Sequence, residues 1–117
     1  MIEKFNDLQQ LVVDAASEKK AFDILILDLR NRSDLTDSFM ICSANSKVQA
    51  QSIVDAIVEK CHQAKIKSLG VEGYSGGYWI VVDLGDLIAH IFHKEARRHY
   101  DLERLWGDVP IIKAVGE

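Results

Sequence analysis

The chain has 117 residues, of which 48% are hydrophobic and 27% charged, with seven glycines and one proline. That balance excludes disordered, collagen-like and low-complexity chains, and it fits a single domain over 1–117 with enough length for a real core. A formal net charge of −4 argues against a protein that grips nucleic acid by neutralising phosphates.

In chain order, Phe5, Leu8, Val12 and Ala15 recur at spacings of three and four, which predicts a helix from about Glu3 to Lys20. Asp23 to Leu29 is apolar on both parities, as expected of a strand buried on both faces. Arg30 to Asp34 is turn-like, and Phe39 to Cys42 reads as a second short strand. Ser46-Lys47-Val48-Gln49 has the capping-box form. Ala50, Ile53, Val54, Ile57, Val58, Cys61 and Ala64 follow it at helical spacing, predicting a helix to about Lys65. Past Gly70 the period changes. Val71 to Tyr74 and Tyr78 to Leu84 read as strands around a Ser75-Gly76-Gly77 turn, and Leu87 to Phe92 as another strand after Gly85-Asp86. The charged stretch from Lys94 to Arg104 suggests a short helix ended by Gly107 and Pro110, and Ile111 to Glu117 reads as either an ordered cover or a frayed tail. The expected product is an α/β domain: a mixed sheet of about five strands with helices packed on it.

Met1 to Phe5 shows no basic region followed by an apolar stretch, and no apolar run is long enough to span a bilayer, so a cytoplasmic protein is expected. Cys42 and Cys61 sit in unlike patterns without Cys-x-x-Cys spacing, which predicts two buried free thiols rather than a zinc or redox site.

His90 and His93 lie three apart in a strand pattern, so they point to opposite faces and do not share a metal. One is expected within the sheet and the other at the strand end. Asp83 and Asp86 flank Leu84-Gly85. They read either as a tight turn or as paired carboxylates for a divalent metal, with Asp28 joining them if its strand lies adjacent. No Gly-x-Ser-x-Gly, Gly-x-Gly-x-x-Gly or Walker loop occurs, so neither a catalytic serine nor a phosphate loop is indicated. Tyr78 and Trp79 are strand neighbours facing opposite ways, so one of them points away from the helices, either half-buried or as a binding hot spot.

Three blocks of sequence together resemble one family along essentially the whole chain. The first is Asp28-Leu29-Arg30, Leu35 to Phe39 and Ile41 to Ser46. The second is Val71 to Tyr74 and Tyr78 to Asp86. The third is His90 to His93 and Tyr100 to Asp108. Their order and spacing resemble the bacterial ribosomal silencing factors, the iojap-like family. The resemblance implies a protein that binds large-subunit ribosomal protein fourteen, blocks joining of the small subunit, represses translation and acts in late large-subunit assembly. It also implies a homodimer when free, no cofactor and no catalysis, on a nucleotidyltransferase-like core. The catalytic motifs of active nucleotidyltransferases are missing, since no Asp-x-Asp occurs anywhere in the chain. By resemblance, the apolar contact with the ribosomal protein falls on Trp79, Leu84 and Tyr100. Asp83, Asp86 and Glu95 are expected to face basic residues on the partner, which suits an acidic chain. An enzyme using Asp83, Asp86 and Asp28, and direct RNA binding, stand as alternatives.

Overall fold

A computed structural model describes residues 5–31, 33–99 and 110–115. Helix α1 spans Asp7–Glu18. It starts later than its apolar period suggested, because Asn6 and Gln9 form a reciprocal cap. The Asn6 side chain accepts the Gln9 N–H at 2.8 Å, and the Gln9 side chain accepts the Asn6 N–H at 2.8 Å. The helix ends with Lys20 at φ 67°, while Ala21 N–H reaches back to Ala16 O at 3.0 Å and Lys20 N–H to Ser17 O at 2.9 Å. These paired bonds satisfy carbonyls that a helix end leaves open.

Strand β1 (Phe22–Asp28) and strand β2 (Ser38–Ala44) lead into helix α2 (Lys47–Gln63). Ser46 caps α2 as its sequence predicts, accepting the Gln49 N–H at 3.1 Å. The other half of the predicted box is diverted. Gln49 Oε1 accepts the N–H of Asn45, and its amide donates to the carbonyls of Lys19 and Lys20 at 3.1 and 3.0 Å, tying the start of α2 to the end of α1.

Next come β3 (Gly70–Glu72), β4 (Trp79–Asp83), β5 (Leu87–His93), helix α3 (Lys94–His99) and β6 (Ile111–Val115). The remainder of the predicted Lys94–Arg104 helix, Tyr100 included, lies outside the described residues.

The strands form one six-stranded sheet in the order β3-β4-β5-β2-β1-β6. The β2–β5 pair is parallel and the other pairs are antiparallel. The sheet has one strand more than the sequence suggested. Ile111–Val115 is an ordered edge strand whose partner is the otherwise open side of β1, with Ile24 opposite Val115 and Leu27 opposite Ile111.

Among the described residues the two faces of the sheet are unequal. Helices α1 and α2 cover one, where Val12, Ile24, Ile26, Met40, Ile53, Ile57, Ile80 and Ile91 form the main core. The other carries a smaller cluster of Leu27, Leu29, Phe39, Ile41, Ile88 and Phe92, with Ala96 from α3, edged by half-buried Trp79 and Val81. Cys42 and Cys61 are both free and fully buried, and burial pushes the Cys42 thiol up to about 12, so it stays protonated. Among the described residues no helix is long and apolar enough to cross a membrane.

Candidate functional site

The smaller face is where the sequence-predicted site residues can be placed. Alternation along β4 sends Ile80 and Val82 to the helix-covered core and leaves Trp79, Val81 and Asp83 on the other side. Trp79 therefore points away from α1 and α2, while its neighbour Tyr78 is 55% exposed.

The antiparallel pairing of β4 with β5 puts Trp79 opposite Phe92 and one diagonal step from His90. The Trp79 and Phe92 rings stack with centroids 5.1 Å apart and planes 24° from parallel. Trp79 Nε1–H donates to His90 Nδ1 at 3.1 Å. His90 in turn packs edge-on against Phe39 of β2, centroid to centroid 4.5 Å. An aromatic row of Phe39, His90, Phe92 and Trp79 thus crosses three strands, with only its Trp79 end half-exposed.

Carboxylates stand at both ends of this row. At the β4–β5 turn, Asp83 Oδ1 accepts the Gly85 N–H at 2.9 Å, and Gly85 sits at φ +87°. Thr36 Oγ1 donates to Gly85 O at 2.9 Å, clamping the turn to the β1–β2 connection. Asp86 is exposed at this turn. At the far end, His93 Nδ1 accepts the Glu95 N–H at 3.2 Å, and the exposed Glu95 lies beside Tyr78, whose ring stacks on His93 at 5.2 Å.

The two histidines divide as their strand parity predicted. His90 lies within the sheet on the Trp79 face, and His93 closes the strand end at the start of α3. Burial lowers His90 to about 4, so its imidazole is neutral. Because Nδ1 accepts from Trp79, the ring proton sits on Nε2, which is buried and makes no hydrogen bond among the described residues.

Leu84 is placed differently from what a contact residue requires. It is 5% exposed and belongs to the main core, continuing the alternation that sends Ile80 and Val82 to the helix side. Apolar area at this end of the sheet comes instead from Leu35 and Leu69, each 68% exposed. Both border the turn: Leu35 precedes Thr36, and Leu69 N–H donates to Asp83 O at 2.7 Å. Sequence reading missed these two leucines, and it missed His90 as the partner of Trp79.

The extension of the Asp83 and Asp86 pair to Asp28 fails on sheet order. Asp28 is on β1, which β2 and β5 separate from β4, so it lies roughly 14 Å from Asp83 at the usual strand spacing. That is far beyond a shared cation, whose oxygen ligands sit at about 2–2.6 Å. Asp28 is instead paired with Arg30 at 2.6 Å, and Asp83 holds its own turn. Among the described residues no group of three or more His, Cys, Asp or Glu side chains comes together.

Comparison with known proteins agrees with this architecture. Residues 2–116 match the family model described as ribosomal silencing factor during starvation. A ribosomal silencing factor from Halalkalibacterium halodurans is 38% identical, with 94% of each chain covered. One from Bacillus subtilis is 40% identical over 87% of this chain and 86% of its own. A mouse protein named for mitochondrial assembly of the ribosomal large subunit is 28% identical over 82% of this chain and 43% of its own. Among solved structures, a Chromobacterium violaceum crystal structure superposes with a TM-score of 0.85 at 28% identity, covering 89% of this chain and 87% of that one. Matched along nearly its whole length by both the family model and these relatives, the chain belongs to the ribosomal silencing factor family.

Proposed function

We propose that the β4–β5 face, anchored by Trp79, docks on the large ribosomal subunit through its ribosomal protein fourteen. Occupying that surface keeps the small subunit from joining and so represses translation; the same docking serves late assembly of the large subunit. No chemistry is catalysed, and no cofactor is needed. The free protein is a cytoplasmic homodimer.

The observation that carries this reading is the setting of Trp79. It is a half-buried indole held against Phe92 and His90, at the open end of an aromatic row. A half-buried aromatic held by its neighbours is the kind of group on which binding energy concentrates. Asp83, Asp86 and Glu95 at the two ends of the row complement a basic ribosomal protein, in keeping with a net charge of −4. Leu35 and Leu69 extend the apolar contact beside the turn. Leu84 supports it from beneath by fixing the turn, and Tyr100 completes the contact by resemblance. Membership of the family and the large-subunit role in the mouse relative's name point the same way.

The test is sedimentation of the protein with isolated large and small subunits, wild type beside Trp79→Ala. Wild type is expected to co-migrate with the large subunit alone and to reduce joined ribosomes. Trp79→Ala loses about 2 kcal/mol of binding or more, roughly thirtyfold, while its circular dichroism stays folded. Co-migration with neither subunit, or undiminished binding by the variant, would sink the reading.

A further inference from the structure

We infer that His90 is a positioning residue for partner binding: it fixes the Trp79 indole at the docking face through the Trp79 Nε1–H to His90 Nδ1 hydrogen bond of 3.1 Å. This rests on the docking role proposed for Trp79 and goes beyond it. A half-exposed tryptophan on a strand near the sheet's edge has more than one side-chain rotamer open to it, and ordering it on binding costs affinity. Among the described residues, the stack on Phe92 at 5.1 Å and the bond to His90 both hold the indole. His90 is itself immobile. It is 7% exposed, and Phe39 packs edge-on against its ring at 4.5 Å.

The same geometry shows that stability alone does not call for a histidine at this position. With Nδ1 committed as acceptor, the proton on Nε2 is buried without a partner among the described residues. A buried donor left unpaired lowers stability. Phenylalanine would fill the slot beside Phe39 and Phe92 without that penalty. What phenylalanine lacks is the acceptor for Trp79. The histidine thus trades stability for a fixed indole, a cost typical of functional sites.

The experiment is a double-mutant cycle on the full chain, read as affinity for isolated large ribosomal subunits. His90→Phe and His90→Asn are each made in the wild-type and Trp79→Phe backgrounds, and Trp79→Ala is run alongside. His90→Phe is expected to fold at least as stably as wild type yet bind roughly three- to tenfold more weakly, the worth of one hydrogen bond. His90→Asn, whose side-chain oxygen takes the place of Nδ1, recovers most of the loss. In the Trp79→Phe background, which has no indole N–H, His90→Phe makes no further difference.

An equal loss in both backgrounds, or none in the wild-type background while Trp79→Ala abolishes binding, overturns the role of His90. Undiminished binding by Trp79→Ala overturns the docking reading instead. Independently of any variant, 15N-labelled wild type should show a coupling across the hydrogen bond between Trp79 Nε1 and His90 Nδ1. Its absence overturns the inference even if the variants fail to fold.

Discussion

His90 makes the stability of this protein depend on pH in a direction that can be worked out in advance. Burial takes the imidazole from its ordinary 6.5 down to about 4. Between those values the unfolded chain binds a proton that the folded chain refuses. The contribution is therefore fully present above pH 6.5 and is lost as the pH falls through the window toward 4. At about 1.4 kcal/mol for each pH unit of that window, the loss reaches about 3 kcal/mol at its acid end. Geometry adds to the effect, since a proton on Nδ1 would face the Trp79 N–H that now donates to it. The assay is urea unfolding of wild type and His90→Phe at several values between about pH 7.5 and about pH 4.5. The other titrating groups are common to both proteins and cancel in the difference. The wild type should lose ground steadily against the variant below about pH 6.5. Parallel pH dependences would refute the reasoning and show that His90 takes up its proton in the folded state.

The other predictions concern backbone and caps. Gly73 and Gly85 both have positive φ, but a Cβ on Gly73 would lie 2.3 Å from the backbone oxygen of Trp79, whereas the nearest atom to one on Gly85 is 3.8 Å away. Gly85→Ala should therefore cost only the left-handed penalty of about 1–2 kcal/mol, and Gly73→Ala clearly more, with equal urea midpoints counting against a rigid contact at Trp79. Lys65 follows the end of α2 at φ 64°, so Lys65→Gly relieves that strain. After the added freedom of the unfolded chain is offset, a net gain of about 0.5 kcal/mol should appear as a small rise in Tm. Asn6→Ala removes one arm of the reciprocal cap on α1 and should cost about 1 kcal/mol in the same assay; no change would mean that Gln9 holds the helix start alone.

What the sequence disclosed depended on how local the determinant was. Helix α2 was legible because its cap and its apolar stripe lie within one stretch of chain, from Ser46 to Cys61. Strands β4 and β5 were legible from alternation and from the Gly85 break between them. Strand β6 was not, because five residues after a proline carry little pattern of their own; pairing with β1 makes them a strand. The separation of Asp28 from Asp83 needed the strand order, which no spacing encodes. Parity set Tyr78 and Trp79 on opposite faces without saying which of them points away from α1 and α2, and the bond of Trp79 to His90 required the register that sets Trp79 opposite Phe92. Leu84 is buried on the same parity as Ile80 and Val82, which needed the face of β4 to be known, and Tyr100 lies outside the described residues.

With the proposed docking on the Trp79 side, the unequal faces of the sheet separate folding from docking. The larger core, under α1 and α2, is almost wholly apolar and supplies most of the burial that holds the domain together. The smaller face can then carry a half-exposed indole and a buried imidazole whose N–H is unpaired among the described residues without unfolding the protein. The carboxylates proposed as its rim are arranged for encounter more than for a single ion pair. Asp86 precedes β5 and Glu95 follows it, so the seven residues of that strand hold them more than ~20 Å apart. That exceeds the screening length of about 8 Å at physiological salt, so in the proposed complex each would act on its own basic neighbour. Neutralising one should slow association and flatten its salt dependence, whereas truncating Trp79 should speed dissociation. Affinity and approach are thus assigned to different residues of one face, the first to a fixed aromatic row and the second to charges at its two ends.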